Sequence, residues 1–252
     1  MGSYEFLAGC YDALTYDVGY EHWADYLEKQ FARSAVPVHT VLDLACGTGS
    51  LTYALALRGY EMIGVDRSED MLAQAAEKSL GLPAGAEPPI FLHQSMEELD
   101  LYGTVDACVC CLDSINYITR PKVLEQAFQR VHLFLEPGGI FVFDINTPEK
   151  LQAMDGQIFL DENEDTYCVW RAEYAPRRRI CTYYMDIFRK EQGALWRRGE
   201  EIHQEYAYAP DELEEMLSKA GFRYIRRYGD RKLRAPRTDE RRIFFSARKD
   251  LK

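Results

Sequence analysis

A run of small residues and two carboxylates carry the strongest chemical signal in this sequence. In Asp43-Leu44-Ala45-Cys46-Gly47-Thr48-Gly49 the small side chains sit where the chain must turn tightly, so a ligand can approach the backbone and the start of the next helix. Asp66 follows Asp43 by 23 residues, a separation at which an acid closing the next strand can accept hydrogen bonds from ribose hydroxyls. The pair predicts a site for an adenosine-containing ligand, although a two-glycine turn alone is also an ordinary strand-to-helix connection. A nicotinamide dinucleotide would favour a third glycine three residues after Gly49. Ser50, Leu51 and Thr52 follow instead, which makes a dehydrogenase the weaker alternative.

A second cluster, Asp113-Ser114-Ile115-Asn116-Tyr117, combines carboxylate, hydroxyl, amide and phenol, a mixture suited to polar recognition of another substrate. Loop capping is the competing use of such residues. If an acceptor arrives protonated a general base is needed, and Asp113, Tyr117, Tyr16 and His203 are the candidates. A lone histidine on a strand serves structure more often than catalysis, so His203 stays outside the expected catalytic set. Trp170, Tyr183, Tyr184, Tyr206 and Tyr208 suit either a substrate wall or a plain sheet core. Asp113, Asp144 and Asn146 are oxygen-ligand types, but their order establishes no metal site and none is expected. Cys108 and Cys111 form a C-x-x-C inside an apolar run, without the exposed helix N-terminus of redox motifs or the second ligand pair of zinc motifs. With Cys110 they read as buried free thiols among an odd total of seven.

The elements that position these groups follow from periodicity. Residues 11–31 carry apolar side chains at helical intervals, as part of an N-terminal helical lid over 1–36. Strands are expected at 38–45, 62–65, 90–93, 105–112 and 140–145. Helices between them run through Leu51 and Leu55, through Met71 and Ala75 after a Ser68 N-cap, and from Pro121 to Val131. This alternation predicts a parallel sheet covered on both faces, with ligands at the carboxyl ends of its strands. Over 155–209 the pattern changes to two-residue alternation with turn signals, an antiparallel β insertion with strands at 167–174, 180–188 and 200–208. A helix over 210–220, closed by Gly221, and strands at 222–228 and 241–248 complete the expected sheet.

The 252 residues, 47% hydrophobic and 28% charged, suit one globular domain, and no stretch approaches the roughly 20 apolar residues of a membrane span. The first ten residues lack the basic start and apolar run of a secretory signal, so the expected location is cytoplasmic. The net charge of −11 argues against indiscriminate nucleic-acid binding. Residues 221–252 nevertheless hold 12 Lys/Arg against 4 Asp/Glu. Solvated strand faces explain that surplus most simply, and RNA contact is the alternative.

In its ordered motifs the sequence resembles the class I S-adenosylmethionine-dependent methyltransferases. The matching segments are Asp43 to Gly49, Asp66 with Arg67-Ser68-Glu69-Asp70-Met71-Leu72, Gln94-Ser95-Met96, Cys111 to Tyr117, and Leu135-Glu136-Pro137-Gly138-Gly139. Within that class it looks like the YqeM-like bacterial methyltransferases and, more distantly, the amino-sugar N-methyltransferases. The resemblance implies a three-layer Rossmann-like α/β fold, with a mostly parallel seven-stranded sheet and the antiparallel insertion, and S-adenosylmethionine as methyl donor. It implies that the backbone from Ala45 through Cys46 and Gly47 to Gly49 holds the methionine part, with Asp43 and Leu112 nearby. Asp66 would then take the ribose, Arg67 and Met71 the adenine surroundings, Ser95 and Met96 the adenine ring, and Tyr11 the underside of the lid. Many relatives have Asp where this chain has Ser95, a weaker acceptor for the adenine amino group. Ser114, Asn116 and Tyr117 would meet the acceptor, expected to be a small molecule, with RNA methylation or donor binding without catalysis as alternatives. Monomer and homodimer both remain open.

Overall fold

The protein is described here by a computed structural model covering residues 6–251; residues 1–5 of the expected lid lie outside the described residues. In the main sheet β1 (Thr40–Leu44) pairs in parallel with β2 (Glu61–Asp66) and β4 (Val105–Cys110), while β3 (Ile90–His93) joins β2 and β5 (Leu135–Asn146) joins β4. Two antiparallel strands, β11 (Arg242–Arg248) beside β5 and β10 (Arg223–Gly229) beyond it, close the order β10-β11-β5-β4-β1-β2-β3. The chain therefore has a mixed α/β fold whose seven-stranded sheet is mostly parallel.

Strand β5 shows how the sequence makes three layers. Phe141, Phe143 and Ile145 point to one face and pack with α5 (Pro121–Phe134) and α7 (Pro210–Ala220), whereas Ile140 and Val142 point to the other and meet α2 (Tyr20–Phe31) and α3 (Ser50–Ala56). A strand buried on both faces must be apolar at every position, as this one nearly is. Each buried Phe contributes roughly 1.5–3 kcal/mol by leaving water, and Phe143 also stacks on Phe245 with centroids 4.9 Å apart.

The expected helix over 11–31 is two helices, α1 (Tyr11–Leu14) and α2. Thr15 ends the first by donating both its N–H and its hydroxyl to the Tyr11 carbonyl, and Gly19 at φ 66 starts the second, a left-handed conformation that glycine adopts freely. Two further elements escaped the sequence reading. The helix α6 (Pro148–Ala153) starts from Thr147, whose hydroxyl accepts from the Lys150 N–H, and the strand β6 (Ile158–Glu162) is too exposed to alternate clearly. With β7 (Thr166–Ala175), β8 (Ile180–Lys190) and β9 (Trp196–Tyr206), β6 forms a separate four-stranded antiparallel sheet.

The segment before α2 straps the two sheets together. At one end Glu201 on β9 accepts hydrogen bonds from the Phe6 and Leu7 N–H groups at 2.9 and 2.7 Å. At the other, Asp12 accepts from Thr48 at 2.6 Å and from Ser50 at 3.1 Å, and pairs with Lys78 at 2.6 Å. Leu7 and Cys10 seal the middle against Cys168 and Ile187. No helix among the described residues is long and apolar enough to cross a membrane.

Candidate active site

Around β1 the connections change faces, since β1 leads to β2 through α3 on one side while β4 leads to β5 through α5 on the other. Such a switch point opens a crevice at the carboxyl ends of the strands. A cavity of about 720 Å³ lies there, within the range of small-molecule sites, and continues onto the inner face of the second sheet beneath the strap.

The glycine-rich turn forms one end of this cavity. Ala45 at φ 61 and Gly47 at φ 54 are both left-handed, which folds the backbone into a shallow cradle. The Cys46 N–H donates to the Val65 carbonyl at 3.0 Å and the Gly47 N–H to Asp66 Oδ2 at 2.8 Å, so the turn is tied to the end of β2. A Cβ on Gly47 would meet no atom within 4 Å, because its Cα faces open cavity. Asp66 Oδ1 accepts from the Ser68 N–H at 2.9 Å, and the Ser68 hydroxyl caps α4 (Glu69–Lys78) as its spacing predicts. Burial raises the Asp66 carboxyl, and these N–H donors oppose the shift. Asp43 is buried and is pushed up to about 6 by desolvation, against a 2.6 Å bond from Thr52.

Around this cradle, Tyr11, Arg67, Met71, Ser95, Met96 and Leu112 all line the cavity. Ser95 donates its hydroxyl to Glu98 at 3.1 Å. Gly49 is a correction: it is absent from the wall, and a Cβ there would stand 3.1 Å from both Ala75 and Phe91. Its left-handed φ of 74 starts α3, and its missing side chain lets that helix pack closely.

Beyond β4 the chain passes through Leu112 at φ 60 and Asp113 at φ 53, two non-glycine residues in a region that costs about 1–2 kcal/mol each. A charge network holds them. Arg242 bonds Asp113 Oδ1 at 2.6 Å and Asp144 Oδ2, the Asp113 N–H donates to the same Asp144 oxygen at 3.0 Å, and Trp23 lies over the guanidinium. Asp144 is pushed up to about 6 because burial outweighs the Arg242 charge. Asp113 lines the cavity with its carboxylate already engaged, and Ser114 and Tyr117 line it too.

Two expected site residues are elsewhere. Tyr16 is 82% exposed in the break between α1 and α2 and forms no part of the wall. Asn116 is fully buried, donates to the Asn146 and Tyr206 carbonyls at 3.1 and 3.0 Å, and accepts from the Asn146 N–H at 3.0 Å. It bolts the turn to β5 and β9, which leaves it no face for a substrate.

The methyltransferase domain family matches residues 41–139, the segment from β1 through the start of β5. Over 248 residues the chain is 32% identical to YqeM of Bacillus subtilis (strain 168), covering 98% of this chain and 97% of that one. The chain belongs to the YqeM family of S-adenosylmethionine-dependent methyltransferases. A solved S-adenosylmethionine-dependent methyltransferase from Clostridium acetobutylicum aligns with this methyltransferase at a TM-score of 0.85 and 28% identity, over 98% of this chain and 99% of that one. The amino pentose methyltransferase CalS10 of Micromonospora echinaspora shares the fold at a TM-score of 0.74 and 20% identity, over 94% and 96% of the two chains.

The far end of the methyltransferase's cavity is built by residues that sequence reasoning missed or set aside. Glu205, Lys150, Phe159 and Asp161 line it, together with Trp170, Tyr183 and His203. His203 Nε2 lies 2.8 Å from Glu201 Oε2, and its ring meets Tyr117 edge-on at 6.1 Å. Glu201, His203 and Glu205 share the inner face of β9 while Ile202 between them is 61% exposed. That inverted alternation, ionisable residues in and an aliphatic out, was the available signal, because buried charges are rare without a purpose. Tyr184, Tyr206 and Tyr208 are not part of the wall, and Tyr208 instead donates its hydroxyl to the Ile118 carbonyl within the core. The seven cysteines are free, with Cys108, Cys110 and Cys111 buried and their thiols raised by desolvation.

Proposed function

We propose that this enzyme passes the methyl group of S-adenosylmethionine directly to a small-molecule acceptor by in-line displacement. The observation that carries this reading is the continuity of the cavity, with a glycine cradle and ribose-type acid at one end and a polar, aromatic compartment at the other. The cradle fits the donor because Gly47 leaves room against its Cα and because Asp66 keeps acceptor capacity beyond its two N–H bonds.

In this reading the backbone from Ala45 to Gly47 holds the methionine part, Asp66 the ribose hydroxyls, Arg67 and Met71 the adenine surroundings, and Ser95 and Met96 the ring. When bound, the donor supplies a methyl group on a cationic sulfonium. The chain's part is alignment, since a displacement on carbon gains most from holding nucleophile and methyl in line. Tyr11 and Leu14 on the strap shield the site from water, and Asp113, Ser114 and Tyr117 border the compartment where the acceptor waits. The chain acts as one domain, with 155–209 as the insertion that shapes the acceptor end; of the expected 1–36 lid only the segment before α2 serves as one, because α2 itself packs on the main sheet. In the basic C-terminal region Arg223, Arg227, Arg231, Arg234 and Arg242 each pair with a carboxylate, which favours a small acceptor over RNA.

Parallel calorimetric titrations with S-adenosylmethionine, S-adenosylhomocysteine and NADH test the donor. Saturable binding of the two sulfur compounds alone is expected, and binding of NADH alone would overturn the reading. S-adenosylhomocysteine release on addition of small acceptors, with none on addition of RNA at low salt, is the expected acceptor result; release dependent on RNA would refute the small-molecule assignment.

A further inference from the structure

The acceptor end of the cavity contains a buried carboxylate, Glu205, with no cation in contact with it among the described residues. Two other buried acids have an ionisable partner in contact, Asp144 with Arg242 and Glu201 with His203. Glu205 is only 3% exposed and makes no ion pair among the described residues. Its carboxylate accepts from the Asn146 amide at 2.9 Å and interacts with the Tyr183 hydroxyl. Lys150 directs its ammonium at Asn146 Oδ1, 2.7 Å away. Burial, reinforced by the charge of Asp113, pushes Glu205 well above the usual carboxylate range, against the hydrogen bonds from Asn146 and Tyr183 and the charge of the Lys150 ammonium, which is not in contact with it.

A carboxylate kept out of water with no cation in contact is destabilised by several kcal/mol, and a ligand that brings a cation into contact offsets that cost. The wall beside Glu205 suits such a ligand. Trp170 stacks on Phe159 with centroids 4.1 Å apart and meets Tyr183 edge-on at 5.6 Å, which presents aromatic faces of the kind that attract ammonium groups. Asp161 holds the Trp170 indole N–H at 2.8 Å and fixes that ring.

We propose that the methyl acceptor is an amine, bound as its ammonium against Glu205, which serves as counter-ion and proton acceptor; this rests on the methyl-transfer reading above. The ammonium gives one proton to the Glu205 carboxylate and frees the nitrogen lone pair. That lone pair forms the new bond to the methyl carbon as the carbon–sulfur bond breaks, and the bonding pair stays on sulfur as a neutral thioether. The product is a methylated ammonium, and the proton on Glu205 passes to water. A carboxyl raised toward the range of amines narrows the proton-transfer gap, which is what a general base for an ammonium requires.

The test uses the full-length enzyme saturated with S-adenosylhomocysteine and titrated calorimetrically with benzylamine and benzyl alcohol. Wild type is expected to bind the amine about tenfold or more tightly than the alcohol, and Glu205→Gln to lose the preference. Equal binding of the two probes by wild type, or a preference that survives in Glu205→Gln, overturns the proposal. Should Glu205→Gln fail to fold, the fixed cation benzyltrimethylammonium gives the same answer on wild type. Its affinity should rise with pH through the neutral range as Glu205 ionises, and a flat profile overturns the assignment. Asp113, Tyr117, Lys150, Asp161, Tyr183, His203 and Arg241 also line the cavity, with Cys181 buried behind Tyr183, and where Glu205→Gln folds, its profile separates the contribution of Glu205 from theirs. Titration of the same wild-type protein with S-adenosylhomocysteine separates the two levels of failure. No binding there defeats the methyl-transfer reading, whereas binding without amine preference defeats only the amine.

Discussion

Replacing Asp66 with alanine probes the donor end of the cavity at its most heavily used side chain. The carboxylate accepts from the Gly47 N–H at 2.8 Å and from the Ser68 N–H at 2.9 Å, tying the cradle to the start of α4. Hydrogen bonds to a charged partner contribute about 1.5–3 kcal/mol each; the Gly47 N–H borders the cavity and can regain water when the acid is removed, whereas Ser68 is buried and its N–H loses its partner. Part of the loss is therefore structural and read by unfolding, and the rest falls on the ligand, whose ribose finds no acceptor. Loss of ribose bonding should weaken S-adenosylhomocysteine by about 2–3 kcal/mol, roughly 30- to 150-fold. Asp66→Asn, which keeps one acceptor oxygen, should lose less. Calorimetry on variants with wild-type circular dichroism reads the result directly. An Asp66→Ala affinity within threefold of wild type would refute the ribose assignment.

Gly47→Ala should weaken the donor and lower stability by about 1–2 kcal/mol, because the new residue must hold φ 54 and its methyl enters the cradle; titration and thermal unfolding measure both. Arg242→Leu leaves Asp113 and Asp144 without their shared cation and should lower unfolding free energy by about 3–5 kcal/mol, part of which Asp144→Asn restores; urea denaturation decides. Asp43 has a native value of about 6 against an ordinary 3.8, so the unfolded chain releases its proton first as pH rises. Its contribution to stability is therefore intact below about 4, lost progressively between about 4 and 6, and roughly 3 kcal/mol lower above that. Stability of wild type relative to Asp43→Asn should fall by about that amount from pH 4 to pH 7, and a pH-independent difference would show that burial does not govern this carboxyl.

How far the sequence could be read depended on whether local pattern or distant contact decides a residue's place. Strand β3 and helix α7 have their expected limits, because apolar periodicity and the Pro210 and Gly221 punctuation are local. The cradle was legible for the same reason: Ala45, Gly47 and Asp66 are positioned by the strand ends that precede them. Asn116 was misread because its partners, Asn146 and Tyr206, are 30 and 90 residues away. Tyr16 was misread because one left-handed glycine, Gly19, breaks what periodicity presents as a single helix. Glu205 was overlooked because a glutamate in a strand is ordinarily solvent-facing, and only the contact of β9 with the 114–117 turn and Asn146 turns that face inward.

The strap that joins Glu201 to the Asp12 anchor touches both ends of the cavity: Leu7, Tyr11 and Leu14 line it beside the second sheet, and Asp12 holds Thr48 of the cradle turn. One segment therefore enters the free energy of two different binding events. Any change that one ligand makes in the strap is met by the other, and such a coupling is equal in both directions: the factor by which the donor alters acceptor affinity is the factor by which the acceptor alters donor affinity.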